Sequence, residues 1–424
     1  MNLKLYKTIL IAGCTAMYFC NLLHAQCGSE LNRYINGYER FDGSMFQDLA
    51  PQIDSSVLIG IGEDTHGSAE FTELVQHLVE YIIQTDSSVG VILETMDGEG
   101  YILNEYVQGN RDDYSNIINT VNSSWRYRTE QFTELINYLR NLALEGYQVS
   151  IYGSEVQYVA ANRDVINDYL LRRGSSLKIE GFTTHIWQSN ELSQIVSNIE
   201  QIKKVKTEMT RLQDSVTEDA TLDEHRRIDD LINSLKSFVS ITLQDYDDVK
   251  HDLRDIYMAQ NVLNTVTTAG HDKYIYWAHN SHVGRDQQNG PADVAGREIS
   301  KHLGSTYLPI KTDFGEGEFM AYPSNADEVG WNMERISYGK LREETISYCI
   351  DSALEEGDVL GIVDLRKAVR ENAALRNMLT KEIDEMSGAG AQARSNGVGP
   401  ITLYPSFDVL IYFRRSTPIK ILPR

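Results

Sequence analysis

Basic residues are scarce in this 424-residue chain compared with acidic ones. It has 39 lysines and arginines against 61 aspartates and glutamates, a formal net charge of −22. Nucleic acid and anionic lipid both bind to basic surfaces, so this composition argues against either as a partner. Four cysteines are too few for a disulfide scaffold, and eight prolines with 30 glycines exclude a collagen-like chain. We therefore expect a globular protein that binds neither nucleic acid nor an anionic lipid surface.

Several widespread catalytic motifs are also missing. The sequence has no Gly-x-Ser-x-Gly elbow, no Walker-type phosphate loop and no Gly-x-Gly-x-x-Gly dinucleotide motif. A serine hydrolase of the α/β-hydrolase type, a P-loop enzyme and a dinucleotide-dependent enzyme are therefore not indicated.

The N-terminus has the pattern of an export signal. Lys4 and Lys7 form a short basic region, and the stretch over residues 8–23 is nearly all apolar or small. Ala25 supplies the small residue that typically precedes a cleavage site. The apolar stretch is too short for a membrane span. We expect residues 1–25 to be a signal peptide and the protein to be periplasmic or extracellular.

Cleavage before Gln26 would leave residues 26–424 as the mature catalytic domain. Cys14 lies in a lipoprotein-like box, so lipid anchoring at that residue is a less favoured alternative. The mature chain would keep Cys27 and Cys349 in an oxidising compartment. A single bridge between them and two separate thiols both remain open, and cysteine catalysis is not indicated.

Apolar runs rich in β-branched residues alternate with segments of helical periodicity. This alternation predicts an α/β fold with a mostly parallel sheet flanked by helices. Residues of about 190–265 instead repeat apolar side chains every three or four positions, which predicts an inserted helical hairpin subdomain. A packed subdomain is the favoured interpretation, and a lid over a cleft is the alternative. The predicted strands are residues 57–61, 89–93, 149–152, 274–278, 359–363 and 409–413.

Histidines and carboxylates follow the predicted strands. Ligands collect at the carboxyl ends of parallel strands, so we expect these side chains to form a site. An imidazole beside a carboxylate is a general base that activates water, whereas several histidines with glutamate can bind zinc or a similar ion. Both chemistries stay open on this pattern alone. The residues concerned are Glu63 and His66 after the first strand, Glu94 after the second, Glu155 after the third, and His279 and His282 after the fourth.

The same segments resemble the erythromycin esterase family. The segment GEDTHGSAEF at residues 62–71 and the closing glutamate of the next strand, Glu94, match that family's pattern. So do RDIYMAQN at residues 254–261, WAHNSH at residues 277–282 and the last strand at residues 407–413. The resemblance extends over about residues 35–415.

This resemblance implies a hydrolase of esters or lactones that uses water and forms no covalent enzyme intermediate. It assigns His66 as the general base, Glu63 and Glu94 as the groups that orient it, and His279 and His282 as groups that polarise the carbonyl or donate to the oxyanion. It needs no cofactor. Further substrate-binding candidates are Glu70, Glu155, Arg254 and Asn280.

Two departures from the family pattern concern the substrate. Residues 74–77 carry no arginine or lysine where the family often has a basic residue, and the third strand ends in Glu155 where the family commonly has aspartate. Macrolide antibiotics are the first substrate class to test, with antibiotic resistance as the implied role. A metal-dependent hydrolase using the same histidines and glutamates is one alternative, and a non-enzymatic ligand- or haem-binding protein is another.

Overall fold

The computed structural model describes residues 30–120, 125–182, 185–187, 191–213, 219–286, 294–388 and 390–423. The predicted signal peptide, its cleavage site, Cys14 and Cys27 lie outside these ranges. The described chain divides into two compact units. The smaller unit contains the described residues up to Met45 together with Glu63–Glu70 and Ile310–Pro418, and the larger unit contains Phe46–Gly62, Phe71–Pro309 and the described residues after Pro418.

The described residues form eleven strands. In chain order they are β1 (Ile35–Tyr38), β2 (Leu58–Glu63), β3 (Ser88–Met96), β4 (Gln148–Glu155), β5 (Lys273–His279), β6 (Tyr307–Ala321), β7 (Glu334–Tyr338), β8 (Leu360–Asp364), β9 (Ile383–Met386), β10 (Val398–Ile401) and β11 (Val409–Ser416).

The same residues form fifteen α-helices. These are α1 (Ala50–Ser55), α2 (Ala69–Ile83), α3 (Asp97–Val107), α4 (Tyr114–Thr120), α5 (Glu130–Leu144), α6 (Ala160–Arg172), α7 (Leu192–Gln213), α8 (Asp219–Thr242), α9 (Asp247–Thr268), α10 (Asn280–Val283), α11 (Ala295–Leu303), α12 (Ala326–Val329), α13 (Ile346–Ala353), α14 (Leu365–Glu371) and α15 (Ala373–Leu379).

The larger unit is built on four neighbouring strands in the order β2-β5-β3-β4. Strand β3 pairs in parallel with both β4 and β5. Residues 88–93 and 95–96 of β3 are buried, as expected for a central parallel strand covered on both faces. Helix α5 begins with a local capping signal, because the Thr129 side chain accepts a 3.1 Å hydrogen bond from the backbone nitrogen of Phe132.

The smaller unit has a mixed sheet. Strand β11 pairs in parallel with β6 and antiparallel with β8, and β8 pairs antiparallel with β1. Strand β7 extends the outer part of β6 as an antiparallel neighbour. Strands β9 and β10 form a separate antiparallel pair.

The predicted fold class, an α/β fold with a mostly parallel sheet flanked by helices, is confirmed. All six predicted strands occur, and parallel pairing links β3 to β4 and β5 and β6 to β11. The apolar faces predicted around residues 195–212 and 228–239 are buried on α7 and α8, except at residues such as Val196. A third long helix, α9, follows them in the sequence. The domain boundaries stay a prediction.

Two further observations concern the N-terminal region and the membrane. Cys349 is buried on α13, and its candidate bridge partner Cys27 lies outside the described residues, so the bridge also stays a prediction. Among the helices that the structure describes, none has the length and apolar character needed to cross a membrane.

Candidate active site

His66 and Glu63 form a close pair in the smaller unit. Glu63 is the last residue of β2, and the Nδ1 atom of His66 lies 2.6 Å from its Oε1 atom. An ionised carboxylate can only accept, so in the neutral ring the proton belongs on Nδ1 and Nε2 is an acceptor. The side chain of Glu63 is 3% exposed and that of His66 is 13% exposed. Such a contact fixes the orientation of the imidazole ring, as general-base chemistry would require.

Glu70, a predicted substrate-binding residue, anchors the chain after β11. Its carboxylate accepts hydrogen bonds from the backbone nitrogen of Thr417 at 3.0 Å and from the hydroxyl of the same residue at 2.6 Å. Ser68 Oγ donates to it at 2.6 Å. The bonds show Glu70 joining the start of α2 to the end of β11 within the smaller unit.

Arg254 on α9 is the centre of a buried ionic network in the larger unit. Its Nε donates to both carboxylate oxygens of Glu155 at 3.0 Å, and its Nη2 donates to the same carboxylate. Nη2 also lies 3.4 Å from Oε1 of Glu94. Burial would lower the pKa of Arg254, but Glu155 and Glu94 outweigh it and raise that pKa above its ordinary value. Arg254 therefore stays charged.

Glu155 is held at the end of β4 by main-chain groups as well. Its Oε1 atom accepts hydrogen bonds from the backbone nitrogens of Val156 and Gln157, both at 2.8 Å. Hydrogen bonds to the charged form stabilise a carboxylate that burial would penalise. Glu155 is thus a fixed counter-ion for Arg254.

His282 lies between an acid and Arg254. Its Nδ1 atom is 2.7 Å from Oδ1 of Asp255, and Arg254 Nη1 donates to its Nε2 at 3.3 Å. Burial would lower the pKa of His282, but the carboxylates of Asp255 and Glu94 outweigh it and raise that pKa above the ordinary value. In the neutral ring, the proton belongs on Nδ1 and Nε2 accepts.

His279 has the opposite tautomer. Its Nδ1 atom accepts from the backbone nitrogen of Ser281 at 3.3 Å and lies 2.7 Å from Ser281 Oγ, so in the neutral ring the proton belongs on Nε2. The backbone nitrogen of His279 donates to Oε2 of Glu94 at 2.8 Å. An Nε2–H group is a donor of the kind that stabilises a developing oxyanion.

Asn280 begins α10 and packs against Gly62. A Cβ atom added to Gly62 would lie 2.4 Å from Oδ1 and 3.0 Å from Cα of Asn280. Only glycine permits this approach, which explains the first residue of the segment 62–71. Asn280 is buried at this contact.

Arg126 is a second buried cation beside Glu94. Its Nη1 donates to Oε2 of Glu94 and its Nη2 to the backbone oxygen of the same residue, both at 3.1 Å. Nη2 also donates to the hydroxyl of Tyr127. Glu94, which follows the apolar run of β3, is thus paired with arginines rather than left as an isolated buried charge.

The nine predicted site residues form two groups. The smaller unit holds Glu63, His66 and Glu70, and the larger unit holds the other six: Glu94, Glu155, Arg254, His279, Asn280 and His282. Within the described ranges, no group of three or more His, Cys, Asp or Glu side chains is arranged to hold a metal ion.

Sequence reasoning missed Arg126 and the role of Asp255. Asp255 lies inside the recognised segment 254–261, where its position next to Arg254 was the available signal. It also accepts from the backbone nitrogen of Ala295 at 2.9 Å, so it joins His282 to the start of α11. Arg126 gave no comparable signal, because its short turn, Trp125–Tyr127, has no periodic pattern.

Fold and site together define a class: an α/β protein with an oriented imidazole after its first long strand and an arginine–carboxylate network. The erythromycin esterase family model matches residues 90–416, and the chain belongs to this family. Membership supports a hydrolase of the ester or lactone type. No curated protein matches the chain in sequence.

Three solved structures share the fold. A Bacillus cereus protein superposes with a TM-score of 0.76 at 19% identity, covering 94% of this chain and 99% of its own. A succinoglycan biosynthesis protein gives 0.77 at 17% identity with the same coverage. A mutant of the erythromycin esterase EreC in its open conformation gives 0.62 at 16% identity, covering 91% and 97%. At these identities the likeness is one of fold.

Replacing Arg254 with glutamine tests the ionic network. We expect the free energy of unfolding to fall by about 3–5 kcal/mol, because Glu155 and Glu94 would lose a buried counter-ion. Thermal unfolding followed by circular dichroism measures the change. Arg211→Gln is the matched control, since Arg211 pairs with Glu208 at 2.7 Å on an exposed face and its loss should leave the melting temperature nearly unchanged. Equal effects of the two substitutions would contradict the assigned network.

Proposed function

We propose that this protein hydrolyses an ester or lactone with water activated by His66. The observation that carries the proposal is the 2.6 Å contact between His66 Nδ1 and Glu63 Oε1. It lies within the segment 62–71, which resembles the family's pattern and precedes the residues 90–416 that the family model matches. An imidazole held in this way is oriented and has an accepting Nε2, which is what a general base requires.

The chemistry follows from that proton arrangement. The Nε2 atom of His66 takes a proton from water while the water oxygen bonds to the carbonyl carbon. Glu63 stabilises the imidazolium that forms, as a fixed negative charge next to Nδ1. The tetrahedral intermediate then breaks its carbon–oxygen bond to the leaving alkoxide, which takes the proton back from His66. The products are a carboxylic acid and an alcohol, and no enzyme residue is covalently modified.

His279 and His282 have different proposed roles. The Nε2–H group of His279 is a potential hydrogen-bond donor to a negatively charged oxygen. His282 is suited to positioning instead, because its two ring nitrogens are engaged by Asp255 and Arg254. Glu94 and Arg254 act on it as fixed charges.

Macrolide lactones are the proposed substrate class, supported by the family to which the chain belongs. The test is mass spectrometry of erythromycin, other macrolides and p-nitrophenyl esters after incubation with the protein, with and without chelator. We expect a macrolide product heavier by one water that forms equally with chelator present. Loss of product with chelator would support the metal-dependent alternative. Absence of any product would instead favour the ligand- or haem-binding alternative.

His66→Ala should lower kcat by at least ~100-fold, because it removes the general base. The matched control is His77→Ala: His77 forms a chemically similar pair with Glu80, three residues away, at 2.8 Å on α2. That variant should keep wild-type kcat. If His66→Ala retains full turnover, or both variants lose activity alike, His66 is not the base.

We also propose that the protein is exported, on the basis of Lys4, Lys7, the apolar residues 8–23 and Ala25. Expression in a bacterium, followed by fractionation and N-terminal sequencing, measures this. The expected result is a periplasmic or secreted chain that begins at Gln26. A cytoplasmic chain retaining residues 1–25 would contradict it, and a lipid-modified chain beginning at Cys14 would identify the anchored alternative.

A further inference from the structure

The smaller unit contains a second group of buried charges, which we call the Lys311 cluster: Lys311, Asp64, Asp313 and Glu385. Lys311 on β6 is completely buried, and the three acids are at most 5% exposed. The Lys311 Nζ atom lies 3.0 Å from Oε2 of Glu385 and 3.9 Å from Oδ1 of Asp64. None of the mechanistic steps above uses these four residues.

One lysine cannot neutralise three ionised carboxylates. Burial raises the pKa of Asp313 to about 7 and that of Glu385 to about 8, and Lys311 only partly opposes the shift. Burial likewise raises the pKa of Asp64 against the opposing charges of Lys311 and Arg394. The cluster therefore retains protons at neutral pH.

Other polar groups complete the surroundings. Ser347 Oγ donates to Oδ2 of Asp313 at 2.7 Å, and the backbone nitrogen of Met386 donates to Ser347 Oγ at 2.9 Å. The titratable hydroxyls that face the cluster belong to Tyr338, toward Asp64, and Tyr412, toward Asp313. The cluster thus joins β6, α13 and β9.

Asp64 connects this cluster to the proposed base. Its Oδ2 atom accepts from the backbone nitrogen of Gly388 at 2.5 Å, and its backbone oxygen accepts from Gly390 at 3.0 Å. The backbone oxygen of Gly390 in turn accepts from the backbone nitrogen of His66 at 3.2 Å and from Thr65 Oγ1 at 3.1 Å. A series of contacts therefore runs from Lys311 to the backbone of His66: an ion pair at 3.9 Å to Asp64, followed by hydrogen bonds of 2.5–3.2 Å.

We propose that the Lys311 cluster is a positioning device which, through Asp64, Gly388 and Gly390, holds His66 on Glu63 in the orientation needed for proton transfer. This inference rests on the proposed function for its catalytic consequence. Its structural consequence, the state of the His66 ring, is measurable without turnover. The four residues of the cluster are positioning residues and do not touch substrate.

Gly388→Ala is the direct test. A Cβ atom there would lie 2.5 Å from Cβ of Thr65 and 3.1 Å from Oδ2 of Asp64, so the residue would be pushed away from the His66 segment. In protein labelled at histidine with ¹⁵N, the low-field Nδ1 proton of His66, assigned with His66→Ala, should disappear by exchange in this variant. With erythromycin or p-nitrophenyl acetate, kcat should fall at least ~10-fold with KM nearly unchanged.

Gly339→Ala is the matched control, because an added Cβ atom at Gly339 would meet no other atom within 4 Å. It should preserve both the His66 resonance and kcat. If Gly388→Ala behaves like this control, the proposal is wrong. If the resonance depends on Gly388 but no substrate is hydrolysed, positioning holds and the proposed function fails.

Glu385→Gln tests the charge of the cluster. Because the folded pKa values of Asp313 and Glu385 lie above their unfolded values, the folded chain holds protons that the unfolded chain releases above pH ~4. Stability should therefore fall as pH rises from about 4 to about 8 and level off beyond. The variant should reduce that fall. It should also displace the alkaline limb of the kcat profile, which a merely structural residue would leave in place.

Asp351→Asn provides the comparison for simple destabilisation: Asp351 on α13 pairs with Arg414 at 3.1 Å and accepts from the Tyr412 hydroxyl at 3.3 Å, and it is not a member of the Lys311 cluster. It should lower the melting temperature while leaving the shape of the pH profile unchanged. An identical response of Glu385→Gln and Asp351→Asn would overturn the positioning role.

Discussion

A charged side chain that is removed from water needs a partner of opposite charge. This requirement organises both networks of buried charges described above, the one around Arg254 and the Lys311 cluster. Arg254 is buried, and Glu155 lies against it with main-chain hydrogen bonds on its other side. Glu94 then needs a second cation, which Arg126 supplies. Each added partner restricts the rotamers of its neighbours. His282, which lies beside Arg254, is therefore oriented by the same contacts that neutralise the buried charges around it. The fixed orientation of these side chains is therefore a consequence of the pairing of opposite charges.

His279 at the end of β5 and His282 on α10 show how the surrounding contacts make two identical side chains chemically different. They are three residues apart, yet Asp255 stabilises the Nδ1 proton of His282, whereas a backbone nitrogen donates to Nδ1 of His279. Two copies of the same side chain thus present opposite tautomers. The difference depends on partners from separate elements, and it follows from no property of the short segment itself.

The strands that sequence could predict are those whose apolar runs are continuous. Residues 89–93 and 409–413 are buried on both faces, so their pattern is unambiguous. Strand β6 was not predicted because Lys311 and Asp313 interrupt its apolar run. Strands β1 and β7 were not predicted because they are short and partly exposed. The Glu63–His66 pair could be predicted from its place after a strand. The ion pairs of Lys311 with Asp64 and of Arg254 with Glu155 could not be predicted, because the partners are distant in sequence and no local pattern indicates the pairing.

Glu63 and Asp64 are neighbours in the chain, but they serve different networks. Glu63 contacts the ring of His66, and Asp64 accepts from Gly388 and faces the buried lysine. Successive side chains at the end of a strand diverge, so one dipeptide divides its two carboxylates between the imidazole and the ammonium group. The position of each residue in this segment is therefore constrained more tightly than the residue types that the segment contains. Inserting a single residue between Gly62 and Glu63 would move both acids by one position and turn each carboxylate away from its present partner, even though every residue type would remain present.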